Sequence, residues 1–149
     1  AAGVADADMP CINQIEVNPL LFRQRTLDAM RQRGIVVQSY RSLRDGKAFD
    51  NETICAIGAK HDRTAAQVMG RWLVQKGIVY IPKSVRRARM EENACVADFE
   101  LDADDVAALD ALTTEEAIST YAALYRKCVF RDTPMEGQLE GLRADFTMD

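Results

Sequence analysis

The sequence has little of what marks several common classes of protein. Its apolar runs, such as Gly34–Val37 and Gly77–Ile81, fall far short of the roughly 20 residues a spanning helix needs, so no membrane segment is expected. Neither charge sign dominates: 19 Lys and Arg stand against 23 Asp and Glu, a net charge of −4. That balance is too mild to argue for nucleic acid or an acidic membrane as partner. The four cysteines contain no CxxC and His61 is the only histidine, which leaves no closely paired zinc ligands. Buried or idle thiols in a reducing cytosol are the expectation. No charged-then-apolar leader opens the sequence, so a cytoplasmic protein is expected.

What is present is ordinary for a globular chain: 48% apolar and 28% charged residues over 149 positions, enough for a single domain with a core. Short β-branched runs alternate with longer helical patterns, as in βαβ units. The first strand is expected at Cys11–Val17, ended by Pro19, with a helix from about Phe22 to Arg33 and Gly34 at its end. Ile35–Tyr40 reads as a buried parallel strand, followed by a polar loop over Arg41–Asp50. Asn51 is placed to cap a short helix through Ala59. Thr64 and Gln67 form a T-x-x-Q capping box, and Ala65, Val68, Met69, Trp72 and Leu73 behind it recur at helical spacing. Trp72 is therefore expected in the core. A third strand is expected at Ile78–Pro82, then a helix capped by Ser84 whose first turn is basic, against the helix dipole. Asp102 caps a last regular helix carrying Val106, Leu109 and Leu112. Helical character persists to about Lys127, and an irregular tail follows. Three parallel strands with right-handed crossovers are a piece of a larger sheet or barrel. A closed eight-stranded barrel needs about 250 residues, more than this chain has.

Three segments, in order, resemble the aldo-keto reductase family. They are Asn13-Gln14-Ile15-Glu16 with Asn18-Pro19, Gly34-Ile35-Val36-Val37 running into Ser39-Tyr40, and Ile81-Pro82-Lys83-Ser84-Val85 with Arg89, Glu92 and Asn93 behind it. The resemblance covers about Pro10 to Leu112. It implies the C-terminal half of a (β/α)8 barrel over residues 1–112, strands six to eight, and a substrate-loop region over 113–149. It also implies NADPH as cofactor. Gln14 resembles the glutamine that hydrogen-bonds the nicotinamide carboxamide, and Tyr40 the tyrosine that stacks on its ring. Lys83, Ser84 and Arg89 correspond to the residues that hold the 2′-phosphate, a reading the hydroxyl, the helix N-terminus and the two cations support chemically. Arg86 and Arg87 join that patch or are simply solvated. Glu92 and Asn93 correspond to adenine contacts, while Leu43, Ala66, Ile81, Pro82 and Val85 would line the nucleotide. The family usually has Ser-Pro-Leu after its strand-seven tyrosine; here Arg41-Ser42-Leu43 stands, which is expected to free the backbone and add charge.

The family reduces a carbonyl with a tyrosine acid, a lysine, an aspartate and a histidine, all from earlier strands, and no segment here resembles their motifs. His61 reads as a surface residue, and Tyr80, Tyr121 and Tyr125 as packing residues. The tail, with Lys127–Phe130 and the stretch after Pro134, would cover the substrate. The expected activity is NADPH-dependent reduction of a small carbonyl substrate by the intact enzyme. A non-catalytic binding or self-associating module and an inactive remnant are the alternatives. The Ala-rich opening over Ala1–Ala7, without Met at position 1, favours a fragment, and a fragment would need its missing N-terminal half or self-associate.

Overall fold

The computed structural model describes residues 9–116 and 118. Three strands and five helices alternate through it: β1 (Ile12–Glu16), α1 (Gln24–Gln32), β2 (Val36–Tyr40), α2 (Glu52–His61), α3 (Ala65–Gln75), β3 (Val79–Tyr80), α4 (Arg87–Ala94) and α5 (Ala103–Asp110). The strands form one parallel sheet in the order β1-β2-β3. The expectations for Ala1–Ala7, Tyr121, Tyr125, Cys128 and the tail lie outside the described residues.

Register sorts the side chains. Ile12 pairs with Val36, Gln14 with Gln38, Glu16 with Tyr40, and Gln38 with Val79. Because successive residues of a strand point to opposite faces, these seven residues share one face. Asn13, Ile15, Val37, Ser39 and Tyr80 share the other. The second face meets the helices: Val37 is in the core cluster, Ile15 and Tyr80 pack against it, and Ser39 is fully buried. The first face is left largely open by the described residues, with Ile12 and Val36 still 47% and 45% exposed.

The helices form where the sequence signals them. Thr64 Oγ1 accepts from Gln67 N and Gln67 Oε1 accepts from Thr64 N, which completes the expected capping box. Asn51 Oδ1 accepts from Ile54 N at the start of α2, and Asp102 and Asp105 form a second box at α5. Trp72 is fully buried among Leu27, Ile54, Met69, Leu73 and Leu109, with its indole N–H donating to Asp110 Oδ1 at 2.8 Å. Phe22 meets it edge-on at 5.2 Å. Phe22 is not helical: its N–H donates to Thr113 Oγ1, and α1 begins two residues later. Gly34 adopts φ +67°, as a helix terminus of this kind requires.

Two boundaries are corrected. β3 is shorter than the expected Ile78–Pro82; it pairs with β2 alone, and Pro82 has no N–H to extend the ladder. Ser84 does not cap α4. Its Oγ accepts from Arg86 N within a local turn, and Arg86, without a side-chain cap, precedes the helix.

Candidate functional site

A parallel sheet gathers all its strand C-termini along one edge, and in open α/β sheets ligands sit there. Along this edge lie Glu16 and Val17, Tyr40–Leu43, and Ile81–Val85. Gln14 and Tyr40 share the uncovered face, two register steps apart. Gln14 Nε2 donates to Gln38 Oε1 at 3.1 Å; a primary amide has a second N–H and an oxygen to offer elsewhere. Leu43 packs partly against the core. Ile81, Lys83 and Val85 are exposed, Val85 at 87%, and Pro82 and Ser84 are half-buried.

A second group lies where α3 meets α4. Ala66 is buried in the first turn of α3, and the neighbouring Gln67 Nε2 donates to Glu92 O at 3.4 Å, tying the two helices together. Arg89 is exposed and Glu92 half-buried. Asn93 is buried, and its Oδ1 accepts from the Tyr80 hydroxyl at 3.2 Å. Burial pushes the Tyr80 phenol upward, and Glu92 adds to that, so Tyr80 stays neutral and acts as a packing donor. The Ile81–Val85 segment joins this group to the sheet edge. Arg86, Arg87 and Arg89 are all exposed, with Arg87 Nε paired to Glu91 at 2.7 Å.

The turn after β2 departs from the expectation of a freed backbone. Ser42, where the family has proline, is buried; its Oγ donates to Ser39 O at 2.7 Å and lies 2.9 Å from Ser39 Oγ. Ser39 Oγ donates in turn to Val17 O at 2.6 Å. The loop is thus tied to the end of β1 by hydroxyls. Arg41 lies 3.6 Å from Glu16 Oε2 and 3.1 Å from Asp45 Oδ2. Burial pushes the Glu16 carboxyl up, outweighing the Arg41 and Arg44 cations that pull it down. Gln38 and Glu16 stand beside Gln14 and Tyr40 on the same face, although no motif in the sequence singles them out. Strand parity is the signal that finds them, since each lies two positions from Tyr40 or Gln14 on a shared face.

His61 is not a free surface residue. Its Nε2 lies 2.6 Å from Asp105 Oδ2, at the junction of α2 and α5, and Lys60 Nζ donates to Asp105 Oδ1. Cys11, Cys55 and Cys95 are unpaired and exposed rather than buried. Among the described residues no group of three or more His, Cys, Asp or Glu is arranged to hold a metal, and no helix is long and apolar enough to cross a membrane.

Known proteins match this chain along most of the described region. The model of the Aldo/keto reductase family matches residues 5–114. Glyoxal reductase of Bacillus subtilis is 39% identical over 114 residues, covering 76% of this chain and 41% of its own length. Methylglyoxal reductase DkgB of Salmonella typhimurium is 36% identical over 118 residues, covering 79% and 44%. The crystal structure of Gox0644 superposes with a TM-score of 0.72 at 37% identity, covering 74% of this chain and 41% of that one; a variant of Gox0644 in complex with NADPH matches equally. The chain therefore spans about two fifths of the length of such relatives. With more than half of its residues matched by the family model, the chain belongs to the aldo/keto reductase family.

Proposed function

We propose that this chain is the C-terminal half of an aldo-keto reductase barrel, strands six to eight with their helices over residues 1–112, and that it supplies much of the NADPH site of a carbonyl reductase. Residues 113–149 would form the substrate-loop region. The observation that carries the reading is the uncovered sheet face. Among the described residues, a three-stranded parallel sheet with its helices on one side and exposed apolar residues on the other fits one wall of a barrel better than a closed fold. The span of about two fifths of relatives that include glyoxal and methylglyoxal reductases supports it.

The donor set fits a dinucleotide. Tyr40 offers a flat ring on the open face and Gln14 an amide with groups to spare beside it. No side chain caps α4, so its first-turn N–H groups are left for an anion. Lys83 and Arg89 are exposed cations, and the Ser84 hydroxyl beside them, which donates to Arg86 O at 3.3 Å in the turn, would turn to the anion. In this reading Lys83, Ser84 and Arg89 hold the 2′-phosphate, Glu92 and Asn93 lie against the adenine, and Leu43, Ala66, Ile81, Pro82 and Val85 pack around the nucleotide. NADPH supplies the hydride that reduces an aldehyde or ketone. This chain's own residues orient the nicotinamide through Gln14 and hold one face of it through Tyr40, leaving the other for substrate. We assign no proton donor to this chain: the described tyrosines, Tyr40 and Tyr80, are committed to the sheet face and to Asn93. Unpaired cysteines accord with a reducing compartment such as the cytoplasm.

Titration of the protein with NADPH and NADH, followed by cofactor fluorescence, tests the reading. NADPH is expected to bind more tightly, and Arg89→Ala to weaken NADPH by about tenfold while sparing NADH, the loss of one charge-assisted contact. Equal loss of both cofactors would make Arg89 structural, and binding of neither would reject the cofactor site.

A further inference from the structure

Tyr40 sits between two ties to β1. On the covered side its predecessor Ser39 donates to Val17 O at 2.6 Å, with Ser42 closing the network at 2.9 Å. On the open side its successor Arg41 reaches back to Glu16, the register partner of Tyr40 itself. Arg41 holds φ +49°, a left-handed conformation that L side chains rarely adopt, so the turn needs something to keep it there. Two carboxylates do so, Glu16 Oε2 at 3.6 Å and Asp45 Oδ2 at 3.1 Å. They are not equivalent. The Asp45 side chain is 70% exposed, where an ion pair contributes little, whereas that of Glu16 is only 11% exposed. Glu16 Oε1 is buried without a hydrogen-bond partner, so the Glu16 charge is held in place chiefly by arginine.

We propose that Glu16 is a positioning residue for the cofactor: its ion pair with Arg41 fixes the turn after β2 and so keeps the Tyr40 ring on the open face for the nicotinamide. The proposal rests on the cofactor reading above. Ser39 and Ser42 set the depth of the turn, and Glu16 sets its direction. The charged groups around Glu16 are Arg41, Arg44 and Asp45, and burial raises its carboxyl toward neutrality against the two arginines. Protonation therefore releases Arg41 at a less acidic pH than an exposed glutamate would allow. Lowering the pH through that range loosens the tie.

The test measures NADPH affinity from pH 5 to 8 in the wild-type protein, Glu16→Gln, Arg41→Ala and the double variant, beside their melting temperatures. At the upper end each single variant is expected to bind about tenfold more weakly, with the double no worse than either, because both remove one tie. The wild-type affinity is expected to fall on the acid side by more than that of Glu16→Gln, which lacks the Glu16 carboxyl while the cofactor's own 2′-phosphate titrates alike in both. Arg41→Lys, which keeps the charge, is expected to recover part of the loss, and Glu16→Asp serves if the glutamine variant does not fold. Wild-type-like binding in the single variants, additive losses, or an unchanged pH profile in Glu16→Gln would overturn the proposal while leaving the cofactor site intact. Failure of the wild-type protein to bind NADPH would overturn the cofactor reading and this proposal together.

Discussion

The two faces of this sheet are drawn from the same three strands by alternation alone, yet they differ in almost every physical respect. The covered face puts Val37, Ser39 and Ile15 against a core centred on Trp72, where each polar atom described above has a partner. The open face puts Ile12, Val36 and Val79 beside Gln14, Gln38, Glu16 and Tyr40, apolar toward the start of the strands and polar toward their ends. The covered face explains why the chain folds, and the open face why it would bind. The gradient along the open face suits a wall whose lower part is filled by other strands and whose upper rim meets a ligand.

The comparison breaks most easily on the covered side. Trp72→Ala removes the largest fully buried side chain and strands Asp110 without its indole donor. A loss of about 3–5 kcal/mol is expected in denaturant unfolding, and a loss below about 1 kcal/mol would mean the core lies elsewhere. Gly58→Ala follows. A methyl group there would sit 2.6 Å from the Arg63 carbonyl oxygen, a backbone atom that cannot simply swing away. The expected cost is about 1–3 kcal/mol, and a stabilised variant would show that the α2–α3 turn yields.

At the helix junction below the core, the effect is one of pH. Lys60 donates to Asp102, and this bond above all, with the Asp105 N–H, holds the Asp102 carboxyl down to about 2 from its ordinary 3.8. Burial acts to raise Asp105, but hydrogen bonds from Lys60, His61 and the backbone outweigh it and leave it lowered as well. A depressed carboxyl contributes stability above its unfolded value and loses it as pH falls through the folded one. Melting temperature should therefore decline between about pH 4 and 2, and less steeply in Asp102→Asn; parallel curves would remove the junction from the account. The smallest effect belongs to the open face. Val36→Ser, at a residue 45% exposed, should change the chain's own stability by no more than about 0.5 kcal/mol. A cost as large as that of a buried valine would mean this face is already covered within the chain.

Much of this was legible in the sequence because it is local. The Thr64–Gln67 and Asp102–Asp105 boxes, the Asn51 cap and the turn at Gly34 each depend on residues within one helical turn. The strands were legible from β-branched runs, and the IPKSV segment from its resemblance to a family. What escaped depends on partners far apart along the chain. His61 and Asp105 are 44 residues apart, and nothing near His61 announces the pairing. The Ser39–Val17 bond and the Glu16–Arg41 pair need the β1–β2 register before they can be seen. Ser84 misled because a serine before a helix suggests a cap, whereas Val85 and Arg86 intervene here and its hydroxyl is used within that turn.

The difference between the faces is tested most directly by hydrogen exchange of the protein, read by mass spectrometry with and without NADPH. The account predicts slower exchange on cofactor addition in segments 36–43 and 81–93, at the strand edge and α4, with segments 52–62 and 102–111 on the covered side unchanged. Protection confined to the α2–α5 junction, or none at the strand edge under saturating NADPH, would contradict it.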